Sequence, residues 1–185
     1  MSSPKPPTPP PPPPVKLDYV AGLLSYLIPG LGQLTQGRVR KGLLYLICIY
    51  SLFFYGMYLG KGENVYLPDN HPDDRGISRL ASDLYTRFQF VGQFPIGMVA
   101  WPAVYQYYVY DARDQNPPMK GWMRAPSMER INELQRDGDK TWDLGWVYTV
   151  IAGVLNVLVI YDALAGPAFR ETKANPSQPG GTPAA

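Results

Sequence analysis

The chain has 185 residues, with 17 Lys and Arg against 15 Asp and Glu, a net charge of +2, a mean hydropathy of −0.18 and a single cysteine. A charge balance so near neutral excludes nucleic acid as a general partner. One thiol excludes an internal disulfide and a cysteine-based metal cluster, and Cys48, set in an apolar run, reads as a small buried side chain.

Residues 1–16 form a proline tract, with nine of the chain's 21 prolines. Such a segment is extended and lacks the means to bury a core, so it reads as a disordered spacer arm, with ligation of a proline-binding module as the sharper alternative. The apolar run that follows has neither a short basic head nor a small-x-small cleavage site, and Ser2 stands where myristoylation would need glycine.

Between residues 17 and 169 the sequence falls silent in charge four times: Tyr19–Gly37, Gly42–Gly60, Phe88–Tyr110 and Leu144–Tyr161. Water-soluble helices put charges on their outer face, whereas a bilayer-crossing helix needs roughly 17–25 apolar residues. The expectation is an all-α integral membrane bundle with segments at about 19–36, 42–60, 88–110 and 144–164. The last three read as clear spans. The first is broken by Pro29-Gly30-Leu31-Gly32 and then turns polar at Gln33, Thr35 and Gln36. It reads as a short re-entrant or kinked membrane helix.

The second segment ends in Gly56-x-x-x-Gly60, a spacing that lets another helix approach closely. In the third, Pro95 and Pro102 predict kinks. The fourth carries Asn156 midway, with Asp162 near its end. Asn156 is expected to hydrogen-bond Gln93 or Gln106 on the neighbouring span; six residues separate it from Asp162, so the two do not share a helical face. Two loop helices are also predicted. Leu80, Leu84 and Phe88 mark the apolar face of one over 78–87; Met128, Ile131 and Leu134 mark a second, capped by Ser127 and stopped near Gly138. The tail, 170–185, reads as disordered.

The positive-inside rule discriminates between the two readings of the first segment. If it re-enters, one side of the membrane collects eleven basic residues and the other six; if it crosses, the split is nine to eight. The re-entrant reading places residues 1–18, the Arg38–Lys41 turn and the 111–141 loop in the cytoplasm, with residues 61–87 and the tail outside. The chain is then a multi-pass protein of the cytoplasmic (inner) membrane.

Ala21–Leu46 resembles the two-helix transmembrane hairpin of small bacterial membrane proteins. There a short apolar helix ends in Pro-Gly-x-Gly-Gln-x-x-x-Gly, and a basic residue and Lys-Gly lead into a second helix. Pro29, Gly30, Gly32, Gln33, Gly37, Lys41 and Gly42 carry the match, while Thr35 stands where many relatives have an aromatic residue. Trp142–Tyr148 and Asn156–Asp162 are similar to an uncharacterised bacterial membrane-protein family known only as a domain of unknown function. The resemblance implies a small helical membrane protein and brings no catalytic residues.

Candidate sites follow from charge and polarity. Arg38, Arg40 and Lys41 beside an apolar span offer contacts to anionic lipid, worth about 1 kcal/mol each, although fixing topology is the plainer role. Pro29-Gly30-Leu31-Gly32 is the unwound backbone a transporter could use for an ion, but a tight turn packed on Gly42 is the simpler account. Residues 69–76 gather oxygen ligands and His71, without the spacing of a calcium loop. No hydrolase, Walker or Rossmann motif occurs, and no catalytic residue, metal site or cofactor is expected. The reading is a non-enzymatic membrane scaffold or interaction module with lipid, membrane-protein or self-association partners. A small transport or channel component using the broken first helix and Asn156 is the alternative.

Overall fold

The computed structural model describes residues 17–68, 77–109, 116, 118–136 and 140–166. The proline arm, the 69–76 loop and the tail lie outside the described residues. What is described is helical, and among these residues two helices are long and apolar enough to cross a membrane: α3 (Val39–Leu59) and α8 (Thr141–Ala165). The other six are α1 (Tyr19–Leu27), α2 (Leu31–Thr35), α4 (Ile77–Thr86), α5 (Phe88–Gln93), α6 (Trp101–Val109) and α7 (Met128–Arg136).

Helices α3 and α8 lie antiparallel and touch through their backbones. A methyl group on Gly145 would sit 2.5 Å from the Gly60 nitrogen and 2.8 Å from the Gly56 carbonyl oxygen. The Gly56-x-x-x-Gly60 pair thus meets a third glycine across the interface, the close approach that this spacing permits. At the far end, Arg38 at the head of α3 meets Asp162 near the foot of α8.

Around this pair the remaining chain folds as two hairpins that enter from opposite ends. Helix α1 starts beside the foot of α8, where the Asp18 amide donates to the Leu164 carbonyl at 2.9 Å. It descends only to the level of Asn156, turns at Pro29 and Gly30 (φ 84°), and returns as α2. Residues 19–36, expected to be broken at Pro29–Gly32, thus fold back as a helical hairpin.

The 88–110 segment, expected as a clear span kinked at Pro95 and Pro102, forms a second hairpin over the described residues 88–109. Helix α5 runs alongside α8, with Gly92 against Val150, and gives way to a 3-10 turn at Phe94–Ile96. Gly97 (φ 89°) then presses on the Tyr26 carbonyl at the end of α1. A second 3-10 turn, Met98–Ala100, leads into α6, which heads back: Gln106 donates to the Pro118 carbonyl at 2.7 Å, and the Tyr107 hydroxyl to Asp83 at 2.9 Å. Pro95 lies in the first 3-10 turn, as predicted for a break, whereas Pro102 occupies the first turn of α6, where no amide is needed. The deciding residue is Gly97, because its positive φ and close approach suit glycine alone.

This arrangement corrects the predicted sidedness. Residues 60–68, the 118–136 segment and the start of α8 all gather at the Gly60 end, tied by Arg130 to Glu63 at 3.1 Å. Asp18, Arg38, Lys41 and Asp162 share the other end. The described 118–136 part of the 111–141 loop and the Arg38–Lys41 turn are therefore at opposite ends of the bundle. The basic-residue count put them on one side because it took residues 88–110 as a single span.

Helix α4 packs Leu80 and Leu84 on the core, but Phe88 is exposed. In α7 the Ser127 hydroxyl accepts from the Arg130 amide at 3.2 Å, and Leu134 is buried while Met128 is exposed. Cys48 is exposed on α3, contrary to the expected burial.

Gly145→Ala drives a methyl group into backbone and is expected to cost about 1–3 kcal/mol, lowering the melting temperature of the detergent-solubilised protein. Gly62→Ala is the control: it has no neighbour within 4 Å and carries only the cost of a positive φ. Equal melting temperatures for the two variants would contradict the Gly56–Gly60–Gly145 contact.

Candidate functional site

Helix α8 carries three polar side chains that its neighbours grip. Thr149 and Asn156 stand on its buried face and Asp162 near its foot, and Ser25, Gln33, Asn64 and Gln93 answer them from the other elements. Apart from Asp162 all are completely buried. Buried polar groups that lack partners cost free energy, so the bonding pattern is the first thing to establish.

At the foot of α8, Asp162 is the anchor. Its two carboxylate oxygens accept from the single Arg38 Nη2 at 2.7 and 3.0 Å, and further bonds come from Lys41 and Gln33. Three of the charges at this end are thus mutually engaged, and the side chains of Arg38 and Asp162 are only 18% and 26% exposed. The pairing has a local cause. Cations at a helix N-terminus oppose the helix dipole, and the first turn of α3 carries Arg40 and Lys41 with no acid among them. Asp162 supplies the missing counter-charge from across the interface. Arg40 is exposed at this end.

The hairpin motif explains itself in these contacts. Pro29 has no amide proton, so the Ser25 carbonyl loses its normal helical donor. Asn156 replaces it, donating through Nδ2 to Ser25 at 3.1 Å and also to the Pro95 carbonyl at 2.8 Å. The expected Asn156 partners, Gln93 and Gln106, are not the ones used. One amide group instead joins the tips of both hairpins.

Gly30 sits against the Gly42 backbone and Gly32 against the Ala21 carbonyl, each too close for a side chain. Gln33 is then placed to accept from the Ser25 hydroxyl at 3.0 Å and donate to the Val159 carbonyl at 2.9 Å. Gln36 donates to the Ala163 carbonyl at 2.8 Å and to Asp18. Asp18 also caps α1 by accepting from the Ala21 amide at 3.1 Å, and this bond, with Gln36, holds its carboxyl below the ordinary value.

Gln93 belongs to a separate group near the Gly60 end. It donates to Thr149 at 2.7 Å and to the Asn64 carbonyl at 3.1 Å, while Asn64 in turn donates to the Gly56 carbonyl at 3.0 Å. Gln106 lies further out on α6. The sequence-predicted residues thus separate into an ionic cluster (Arg38, Lys41, Asp162), a hairpin-tip bridge (Asn156) and a threonine–glutamine pair. Ser25, Asn64, Thr149 and Arg87 were not anticipated. Ser25 was recoverable, because it precedes Pro29 by four residues.

Residues 20–176 match the model of a family of unknown function, DUF6677. The chain belongs to that family. The match spans both hairpins and both long helices, so membership describes the whole bundle. It agrees with the expectation of an uncharacterised domain of unknown function and assigns no chemistry. No curated protein and no solved structure matches the chain. Among the described residues, no group of three or more His, Cys, Asp or Glu comes together to hold a metal ion.

Asn156→Leu removes the donor for two buried carbonyls and is expected to destabilise the protein by about 1–3 kcal/mol. Asp162→Asn leaves Arg38 and Lys41 facing a neutral group. A double-mutant cycle of Asp162→Ala with Arg38→Ala should return a coupling of about 1–3 kcal/mol, between the values for exposed and buried pairs. Thermal or chemical denaturation in mild detergent measures both. Additive single and double effects would show that the contact contributes nothing.

Proposed function

We propose that this chain is an integral membrane protein of the cytoplasmic membrane, acting as a non-enzymatic scaffold or interaction module for protein or lipid partners. One observation carries the reading: polar side chains are buried within the apolar core, while large apolar side chains stand on the outside. Ser25, Gln33, Gln93, Thr149 and Asn156 are fully buried, whereas Leu44, Ile47, Phe54, Val154, Leu158 and Tyr161 are each about half exposed or more. Only 28% of the apolar window in α3 and 33% of that in α8 is covered by the rest of the protein. A core helix of a water-soluble protein would be mostly covered, and exposed apolar surface on this scale calls for lipid.

In this setting α3 and α8 are the crossing helices, and the two hairpins enter from opposite faces without crossing. Backbone breaks at membrane depth are tolerated only where protein buries them, which accords with the role of Asn156 at the hairpin tips. Arg38, Arg40 and Lys41 lie on the cytoplasmic side in this reading, since the positive-inside rule weights short segments. The scaffold role draws support from the side-chain nitrogens of Gln33, Gln93 and Asn156, which are all bonded within the protein: donors that hold the hairpins together are not free to conduct a solute.

A second reading, a minor transport or channel component, draws on one specific observation. Two broken half-helices meet at Asn156, and broken helices are where transporters place their binding sites.

In a Cys48→Ser background, Arg40→Cys and Lys120→Cys should react with a membrane-impermeant thiol reagent from opposite faces. Labelling from the same face would refute the two-crossing arrangement. The protein should stay in the membrane pellet after cell lysis and require amphiphile once extracted; recovery in the soluble fraction would remove the membrane reading itself. Reconstituted liposomes should show no ion flux above the protein-free background, and flux would give preference to the transport reading.

A further inference from the structure

At the Gly60 end, a cavity of about 610 Å³ opens between the α4–α5 junction, α6 and the segment leading into α7. Its size suits a small ligand. Arg87 lines it, with the guanidinium carbon 3.5 Å from the centroid of the Tyr66 ring and one N–H bonded to the Asn64 carbonyl at 3.2 Å. No carboxylate pairs with Arg87 among the described residues, and its Nε has no acceptor. Burial pulls its pKa below the ordinary arginine value, though the group stays charged at any physiological pH.

Two further residues of the same wall carry buried polar atoms without partners, the side-chain oxygens of Gln89 and Gln106. For Gln106 the amide orientation is fixed, because its nitrogen is bonded to Pro118. The wall therefore presents a cation lacking an anion and two acceptors lacking donors, and Leu67 and Met123 supply apolar surface between them. Buried charge without a counter-ion is costly, and a native fold that retains it invites an external anion.

A neighbouring depression of about 740 Å³ adjoins this wall and is lined by Lys61, Lys120 and Arg130, the last held between Glu63 and Glu133. The two lysines near the mouth raise the local concentration of anions. Arginine stacked on an aromatic face keeps its edge for a phosphate or carboxylate.

We propose that this cavity binds a small phosphate ester bearing hydroxyl groups, its phosphate held by Arg87 and its hydroxyls donated to Gln89 and Gln106. The phosphate of a glycerol-based lipid headgroup and a free sugar- or glycerol-phosphate present this same chemistry. Only the lipid source rests on the membrane reading above.

The test uses the full chain in phosphatidylcholine nanodiscs, titrated with glycerol phosphate by calorimetry. In parallel, protein extracted from equal parts of phosphatidylglycerol and phosphatidylcholine is weighed by native mass spectrometry. The expected result is binding of one probe or both, weakened about tenfold or more in Arg87→Gln, the scale for losing a charge-assisted contact. Ile131→Trp, which fills the cavity from the half-exposed rim without touching Arg87, should weaken binding similarly and guards against a folding defect in the first variant. Retained phosphatidylglycerol that glycerol phosphate displaces identifies the lipid headgroup; glycerol phosphate binding alone identifies a soluble ester. The proposal is overturned if the wild type takes up neither probe, or if both variants bind as it does. Should the protein prove soluble without amphiphile, the membrane reading falls, and the same titration in plain buffer still decides the cavity.

Discussion

A helix that stops inside a bundle leaves carbonyl oxygens without donors, and this structure depends on how it meets that constraint. Two helices stop in the interior: α1 at Pro29 and α5 at the turn before Gly97. Their tips are brought to one level, where a single amide nitrogen on α8 serves a carbonyl from each. The rest of the architecture follows. Helix α8 must run the full length to present Asn156 there, α3 must lie against it closely enough to leave room for the hairpins, and glycines mark the positions where backbones touch.

Charge is arranged by the same logic. The amino-terminal turn of α3 carries cations that its own helix disfavours, and α8 returns with Asp162 at that level. Glutamines do the remaining work, since each offers both a donor and an acceptor. Gln33 uses them on three partners, and the motif Pro29-Gly30-x-Gly32-Gln33 reads as a mechanical device: proline stops the helix, the glycines bring the chain back, and the glutamine fastens it to α8. Some acceptors are nevertheless left over: the side-chain oxygens of Asn64, Gln93 and Asn156 have no donor, and neither do those of Gln89 and Gln106 near Arg87.

Much of this was legible in the sequence where composition alone decides. Long charge-free runs identified α3 and α8, and proline with glycine identified the first hairpin. The amphipathic spacing of Met128, Ile131 and Leu134 identified α7. Other features were hidden because they depend on pairing across the fold. The 88–110 run has a span's length and apolarity, and whether it crosses depends on what Gly97 abuts, a tertiary fact. The ion pairs of Arg38 and Lys41 could not be foreseen because Asp162 is more than 120 positions away. Asn156 was singled out correctly as a polar residue in apolar surroundings, yet its partners are backbone carbonyls, which a search among side chains does not consider. Cys48 was misread as buried because an apolar neighbourhood in sequence does not say which side of the helix a residue occupies.

The backbone contact among Gly56, Gly60 and Gly145 also bears on motion. Two helices meshed without intervening side chains cannot slide or roll past one another without collision, so they behave as a single stiff post. The hairpins, by contrast, are each hung from that post by a handful of hydrogen bonds.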